Sequence, residues 1–177
     1  MMELPNDFEH GRVFPVAECY PFIVVCDTRE QLPFSFEGMG VQVFKTAGTL
    51  KSGDYSILGF EKKVAVERKS KADLFASVST GRDRLEKEFQ RLASFERAAL
   101  VCEASQSSIL EGLAGSQMDP YSVLRTAISW AGRYKVPFFF CATRAEAQWL
   151  TLEFLRFAWL DLTGQKRRKY DGEKTAS

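Results

Sequence analysis

The hydrophobic pattern changes period part of the way along this sequence, and a chain that passes from strand-like runs to alternating helices and strands has few folds open to it. Short apolar runs rich in β-branched and aromatic residues, bounded by Gly, Pro and Asp, predict strands at 22–26 (FIVVC), 41–46 (VQVFKT), 55–58 (YSIL), 63–68 (KVAVER), 98–102 (AALVC) and 137–141 (PFFFC). The first four follow one another as a meander. The spacing then becomes helical. Leu85, Phe89 and Leu92 recur at i, i+4 and i+7, with Arg84, Glu86, Lys87, Glu88 and Arg91 on the other faces, which predicts an amphipathic helix over about 83–96. Asp119 before Pro120 reads as an N-cap with Pro at N1, starting a helix to about 133, and Thr143-x-x-Glu146 reads as a capping box starting another to about 162. This order fits an α/β sandwich: a mixed central β-sheet of about six strands flanked by helices.

At 177 residues the chain has the size of one domain. Residues 1–19 and 163–177 lack periodicity and read as an N-terminal extension and a basic C-terminal tail around 20–162. The run Gln165-Lys166-Arg167-Arg168-Lys169 is in the first instance a solvated end, with phosphate contact the minority reading. Lys and Arg number 24 against 23 Asp and Glu, a net charge of +1, so a polyanionic partner has to be held by a local patch. The single histidine, His10, lies in the extension, which argues against a Ser-His-Asp triad, a histidine-ligated zinc or a haem. Cys19, Cys26, Cys102 and Cys141 have no metal spacing, and the last three end apolar runs, as buried thiols of a reducing compartment do. With no apolar run of about 18 residues and no signal peptide, the protein is expected to be soluble and intracellular, in cytoplasm, nucleoid or nucleus.

The last predicted helix carries Trp149, Leu150, Leu152, Phe154, Leu155, Phe157, Ala158, Trp159, Leu160 and Leu162, which surround nearly the whole cylinder. Either it is sunk in its own domain or it buries a second face against another copy of the chain. The shortage of protein to cover a terminal helix in so small a domain favours the homodimer.

The segment KSGDYSILGFEKKVAVERK, Lys51 to Lys69, carries the chemistry. If 55–58 pairs with 63–66 across Gly59-Phe60-Glu61-Lys62, Asp54 falls opposite Glu67, with Cβ atoms about 5 Å apart. Alternation puts Glu67 and Lys69 on one face, and Val64, Val66 and Arg68 on the other. Two crowded acids repel unless they are protonated or bridged by a cation. A hard ion with oxygen ligands, Mg²⁺ or Mn²⁺, relieves that repulsion, and with Lys69 beside it suits phosphodiester hydrolysis. A surface hairpin can also carry Asp and Glu opposite Lys for solubility alone, so the pattern is weak in isolation. Asp27, Arg29 and Glu30 stand at the carboxyl end of the first strand, where α/β sheets place their sites.

Five ordered blocks strengthen it: V-x-D-x-R-E (Val25, Asp27, Arg29, Glu30), G-D-Y (Gly53 to Tyr55), V-E-R-K-S (Val66 to Ser70), D-L-x-x-S (Asp73, Leu74, Ser77) and G-R (Gly81, Arg82). Over about 22–160 the sequence resembles the XPF-type structure-specific endonuclease domain, also found in the archaeal Hef helicase-nuclease, itself a variant of the PD-(D/E)XK, restriction-endonuclease-like core. The resemblance implies a DNA endonuclease dependent on Mg²⁺ or Mn²⁺ and acting on branched or single-strand/double-strand junction DNA. It makes Asp54 and Glu67 metal ligands and Lys69 the catalytic helper. Asp27 completes the acidic pocket as a further catalytic acid and metal ligand, with Glu30 in a lesser part, and the main-chain carbonyl of Arg68 is a further ligand by similarity to the wider nuclease core. The alternative function is a non-catalytic DNA-binding or scaffolding partner of a nuclease complex; a third is a recombination or restriction-like nuclease.

Arg29 and Arg82 can steady the acids or touch phosphate. The Arg68 side chain reads as a structural ion pair, Tyr55 as core, and Ser70 or Asp73 as a helix start. Glu88 is a weaker candidate for another carboxylate at the pocket, since half the exposed positions around it are charged. The tandem helix-hairpin-helix module that this family commonly appends is not expected, which leaves DNA to local basic residues such as Lys71, Arg84, Lys87, Arg91, Arg125, Arg133 and Lys135, or to a partner chain.

Overall fold

In the computed structural model, residues 20–45 and 49–165 are described. The expected extension 1–19 and nearly all of the basic tail lie outside them. All six predicted strands form: β1 (Ile23–Cys26), β2 (Gln42–Lys45), β3 (Tyr55–Ile57), β4 (Val64–Lys69), β5 (Arg97–Cys102) and β6 (Phe138–Phe140), in one sheet of order β2-β1-β3-β4-β5-β6. The mixed α/β architecture is therefore as expected, but the opening meander is not. β2 pairs with β1 in parallel at the sheet edge, and β3 takes the antiparallel place beside β1. Burial decides this. Ile57 and Tyr55 of β3 are fully buried, whereas Val43 and Phe44 of β2 are exposed, so the apolar strand goes inside and the half-polar one to the rim. From β4 onward the pairs are parallel.

Period-2 alternation sends β4 side chains into two cores. Val64 and Val66 join Tyr55, Val101, Leu152 and Leu155 under α5 (Arg144–Thr163). Ala65 faces Leu74, Leu85, Phe89 and Trp130 from α1 (Lys71–Val78), α2 (Arg82–Leu92) and α4 (Pro120–Tyr134). Ser70 caps α1 by accepting from the Asp73 N–H, and Asp119 caps α4 by accepting from Tyr121 and Ser122. The helical stretch after Lys69 breaks into α1 and α2 at Gly81, and α3 (Gln106–Leu110), too short to show a period, was not expected. The capping box at α5 closes differently from the standard form: Thr143 accepts from Glu146 N–H at 3.1 Å, but the Glu146 carboxylate takes the N–H of Ala142. Cys26, Cys102 and Cys141 are free and buried, as read from the sequence. Among the described residues no helix is long and apolar enough to cross a membrane.

Candidate active site

The tight β3–β4 turn sets the register. Lys63 and Val64 N–H groups both donate to the Phe60 carbonyl, which brings Tyr55 opposite Val66. One step further out, Asp54 N–H donates to the Val66 carbonyl at 2.8 Å, and Asp54 Oδ2 accepts from Arg68 N–H at 2.8 Å. Asp54 therefore sits across from Glu67. The approach requires glycine at 53, where φ is +80° and a Cβ would lie 3.0 Å from the Val66 carbonyl oxygen.

Glu67 is 7% exposed, and its Oε1 accepts from Lys69 Nζ at 2.7 Å. The same ammonium reaches Glu88 Oε2 at 3.1 Å. Burial pushes the Asp54 carboxyl up to about 6 against the hydrogen bond from Arg68, and burial together with the Asp54 charge pushes Glu67 well above the ordinary range. Burial opposes the charge on Lys69, but the Glu67 and Glu88 carboxylates outweigh it and raise its pKa. Glu88 goes the other way: burial alone would raise it, yet its hydrogen bond with Glu67 and the Lys69 ammonium hold it below its usual value.

Arg68 points to the opposite face, as alternation requires. Its guanidinium meets Glu103 through two hydrogen bonds of 2.7 and 3.0 Å and Glu30 at 3.3 Å, with side-chain exposures of 8%, 13% and 8% for the three residues. Arg144 closes the cluster by pairing with Glu103 and lying over the Phe34 ring. Phe34 N–H in turn donates to the Tyr55 hydroxyl at 2.7 Å. Glu30 and Arg68 thus anchor the floor of the site, and Tyr55 is core.

Asp27 directly follows β1 and lies beside Asp54, donating its N–H to the Asp54 carbonyl at 2.8 Å. Its carboxylate is already saturated: Oδ1 accepts from Arg29 N–H at 2.7 Å and Nε at 3.0 Å, and Oδ2 from Arg29 Nη2 at 3.0 Å and Leu50 N–H at 2.5 Å. Burial would raise its pKa, but these donors bring it below the ordinary value. Arg29 thereby stands at the mouth of the site. Arg82 is not brought there. It donates to Thr126 and lies 5.1 Å from the Trp130 ring, bracing α2 against α4. Arg84, Glu88 and Arg91, each one position before the buried Leu85, Phe89 and Leu92, line the site instead. That flanking stripe is the signal by which Glu88 could have been ranked higher.

Two adjoining clefts of about 370 and 380 Å³ share Arg29, Asp54 and Glu67. The first continues to Lys51, Glu88 and Arg91, the second to Glu30, Leu32, Lys69 and Arg84. Among the described residues no three His, Cys, Asp or Glu side chains are grouped so as to hold a metal ion. The donors present are two mutually repelling carboxylates, Glu67 buried and Asp54 half-buried. Such a pair fits Mg²⁺ or Mn²⁺ better than a softer ion, because Mg²⁺ is usually bound by one or two carboxylates and otherwise by water and phosphate.

A sequence model of the ERCC4 domain matches residues 26–153. The chain belongs to the ERCC4 domain family. Among solved structures it is similar to XPF from Aeropyrum pernix, with 21% identity and a TM-score of 0.63 over 80% of this chain and 67% of that one. The same protein in complex with DNA aligns at 21% identity and a TM-score of 0.61, covering 79% and 66%. The chain thus spans about two thirds of that protein. Comparison with curated protein sequences found no match.

Proposed function

We propose that this protein is a divalent-metal-dependent DNA endonuclease that hydrolyses phosphodiester bonds at branched or single-strand/double-strand junctions. The observation that carries the reading is the opposition of Asp54 and Glu67 on paired strands, with the Lys69 ammonium 2.7 Å from Glu67, in a cleft rimmed by arginines. Asp54 and Glu67 would hold Mg²⁺ or Mn²⁺, with the Arg68 main-chain carbonyl as a further oxygen donor. When bound, the ion supplies Lewis-acid polarisation of the phosphate and a more acidic water. Lys69 offsets the charge that grows on the phosphoryl oxygens, and Glu88 keeps that ammonium in place. Arg29, Arg84 and Arg91 provide the phosphate clamp, and Asp27 acts by fixing Arg29 rather than by ligating the ion.

The test is incubation with labelled fork, flap, four-way-junction and blunt duplex DNA in Mg²⁺, Mn²⁺ or EDTA, with the fork and flap as the junctions expected to be cut. Metal-dependent cuts confined to the junctions support the reading. Binding without cleavage in either metal favours a scaffolding subunit, and cuts at a fixed sequence or a four-way junction favour the recombination or restriction-like nuclease.

The protein is further proposed to act as a homodimer through α5. That helix buries Ala147, Thr151, Leu152, Leu155 and Ala158 against the sheet, yet leaves Phe157 38% exposed and Trp149, Phe154 and Trp159 half-buried. Phe157→Asp is expected to halve the mass measured by sedimentation equilibrium. A mass that does not change contradicts the dimer.

A further inference from the structure

Next to the acidic site lies a larger cleft, of about 660 Å³, that the reading above does not use. It runs between the loop before β3, the β3–β4 turn and the chain leaving α2, and is lined by Leu50, Lys51, Glu61, Lys62 and Phe95 among others. Lys51 lines this cleft and the acidic one alike, so the two adjoin. Its lining sets two ammonium groups against one carboxylate. Glu61 is held within its own turn by the Gly59 N–H at 3.0 Å, while neither Lys51 nor Lys62 forms an ion pair among the described residues, unlike neighbouring Lys63, which meets Glu96 at 2.9 Å. Phe95 is half-buried, seated at the end of α2 by its N–H to the Leu92 carbonyl, and stacks on no other ring among the described residues. A half-buried aromatic packed against the core that holds Phe89 and Leu92, an apolar neighbour in Leu50 and two ammonium groups without an ion pair among the described residues are the components of a single-strand binding surface, where bases stack and the backbone follows positive charge. The volume falls within the range of small-ligand sites.

We infer that this cleft is a subsite for an unpaired nucleotide of the DNA strand that crosses the acidic site, with the base against Phe95 and the flanking phosphates on Lys51 and Lys62. Resting on the nuclease reading, the inference supplies a reason for preferring a single-stranded arm: a base inside a duplex has no free face to offer Phe95.

The test uses the full chain in EDTA, where metal-dependent cleavage does not compete, and a forked DNA carrying 2-aminopurine at successive unpaired positions. Binding is expected to quench the probe at one of those positions by about twofold or more, the base there being held in a stack on the Phe95 ring, and Phe95→Leu, which keeps the apolar packing, is expected to abolish that quench. Lys62→Glu is expected to weaken fork binding about fivefold while leaving blunt duplex unchanged, and to reduce the salt slope for the fork by about one. Thermal unfolding of both variants shows that they are folded. Absence of a quench at every position, a quench that survives Phe95→Leu, or equal loss on fork and duplex with Lys62→Glu overturns the subsite. Cleavage of the same fork in Mg²⁺ separates the two claims. Cutting without a Phe95-dependent quench refutes the subsite alone, and a Phe95-dependent quench without cutting supports the subsite and refutes the nuclease.

Discussion

Asp54→Asn is expected to lower metal-dependent cleavage by about a hundredfold to a thousandfold, the scale on which losing a group that acts in the transition state is felt, while the protein stays folded. Asparagine keeps an oxygen to accept the Arg68 N–H but removes the negative charge facing Glu67. The stability effect has a definite sign. The folded-state pKa of Asp54 is raised to about 6 from an ordinary 3.8, so the folded protein binds this proton more tightly than the unfolded chain. The stability it brings is complete below about pH 3.8 and is lost as the pH rises through about 6. Metal-free Asp54→Asn should therefore melt at the same temperature as wild type or higher at pH 7.5, with the difference vanishing at pH 3.5. Circular-dichroism melts at the two values, run beside the cleavage assay, check both halves. A variant that still cuts removes Asp54 from the chemistry, and one that melts well below wild type at pH 7.5 shows that the carboxylate is stabilising rather than strained.

The second large effect is expected at Arg68, which follows Glu67 on β4 but faces the other side of the sheet. Its guanidinium lies between Glu30 and Glu103, all three nearly buried, and 5.8 Å from the centre of the Phe34 ring. Arg68→Ala leaves two buried carboxylates without their main cation, and Arg144 compensates only Glu103. Removing one partner of a buried ion cluster costs about 3–5 kcal/mol, which in a domain of this size lowers Tm by roughly 10 °C. Arg68→Lys should recover less than half of this, since an ammonium cannot reproduce the two parallel bonds to Glu103. Urea unfolding measures the loss; a change under about 1 kcal/mol would mean that the cluster contributes nothing net, as exposed ion pairs often do.

The contrast between Asp54 and Arg82 shows which parts of the site could be read from the chain. A hairpin with a short turn fixes its own register, so the numbering of Gly59 to Lys62 was enough to set position 54 against 67, and alternation was enough to part Glu67 and Lys69 from Arg68. Those are local constraints. Arg82, Arg84 and Glu88 share one helix, and which of them meets the site depends on how α2 rolls between the sheet and α4. The buried row Leu85, Phe89 and Leu92 fixes that roll, leaving Arg84, Glu88 and Arg91 beside the acids and Arg82 against Trp130. Asp27 is an intermediate case. An Asp two residues before an Arg N–H is a turn-forming pair, and the sequence D-T-R thus contained the hydrogen bond from Arg29 to Asp27. The further bond from Leu50, 23 positions away, did not appear in any local pattern. The edge position of β2 is non-local in the same way: it follows from the burial of β3, a property of the assembled sheet.

The central claim is that Asp54 and Glu67 together hold one divalent ion. Anomalous diffraction from crystals soaked in Mn²⁺ tests it without any turnover. The expected result is a peak within bonding distance of both carboxylates that disappears in Glu67→Gln, with Asp27 still bound to Arg29; a peak at other residues, or one that persists in Glu67→Gln, contradicts it.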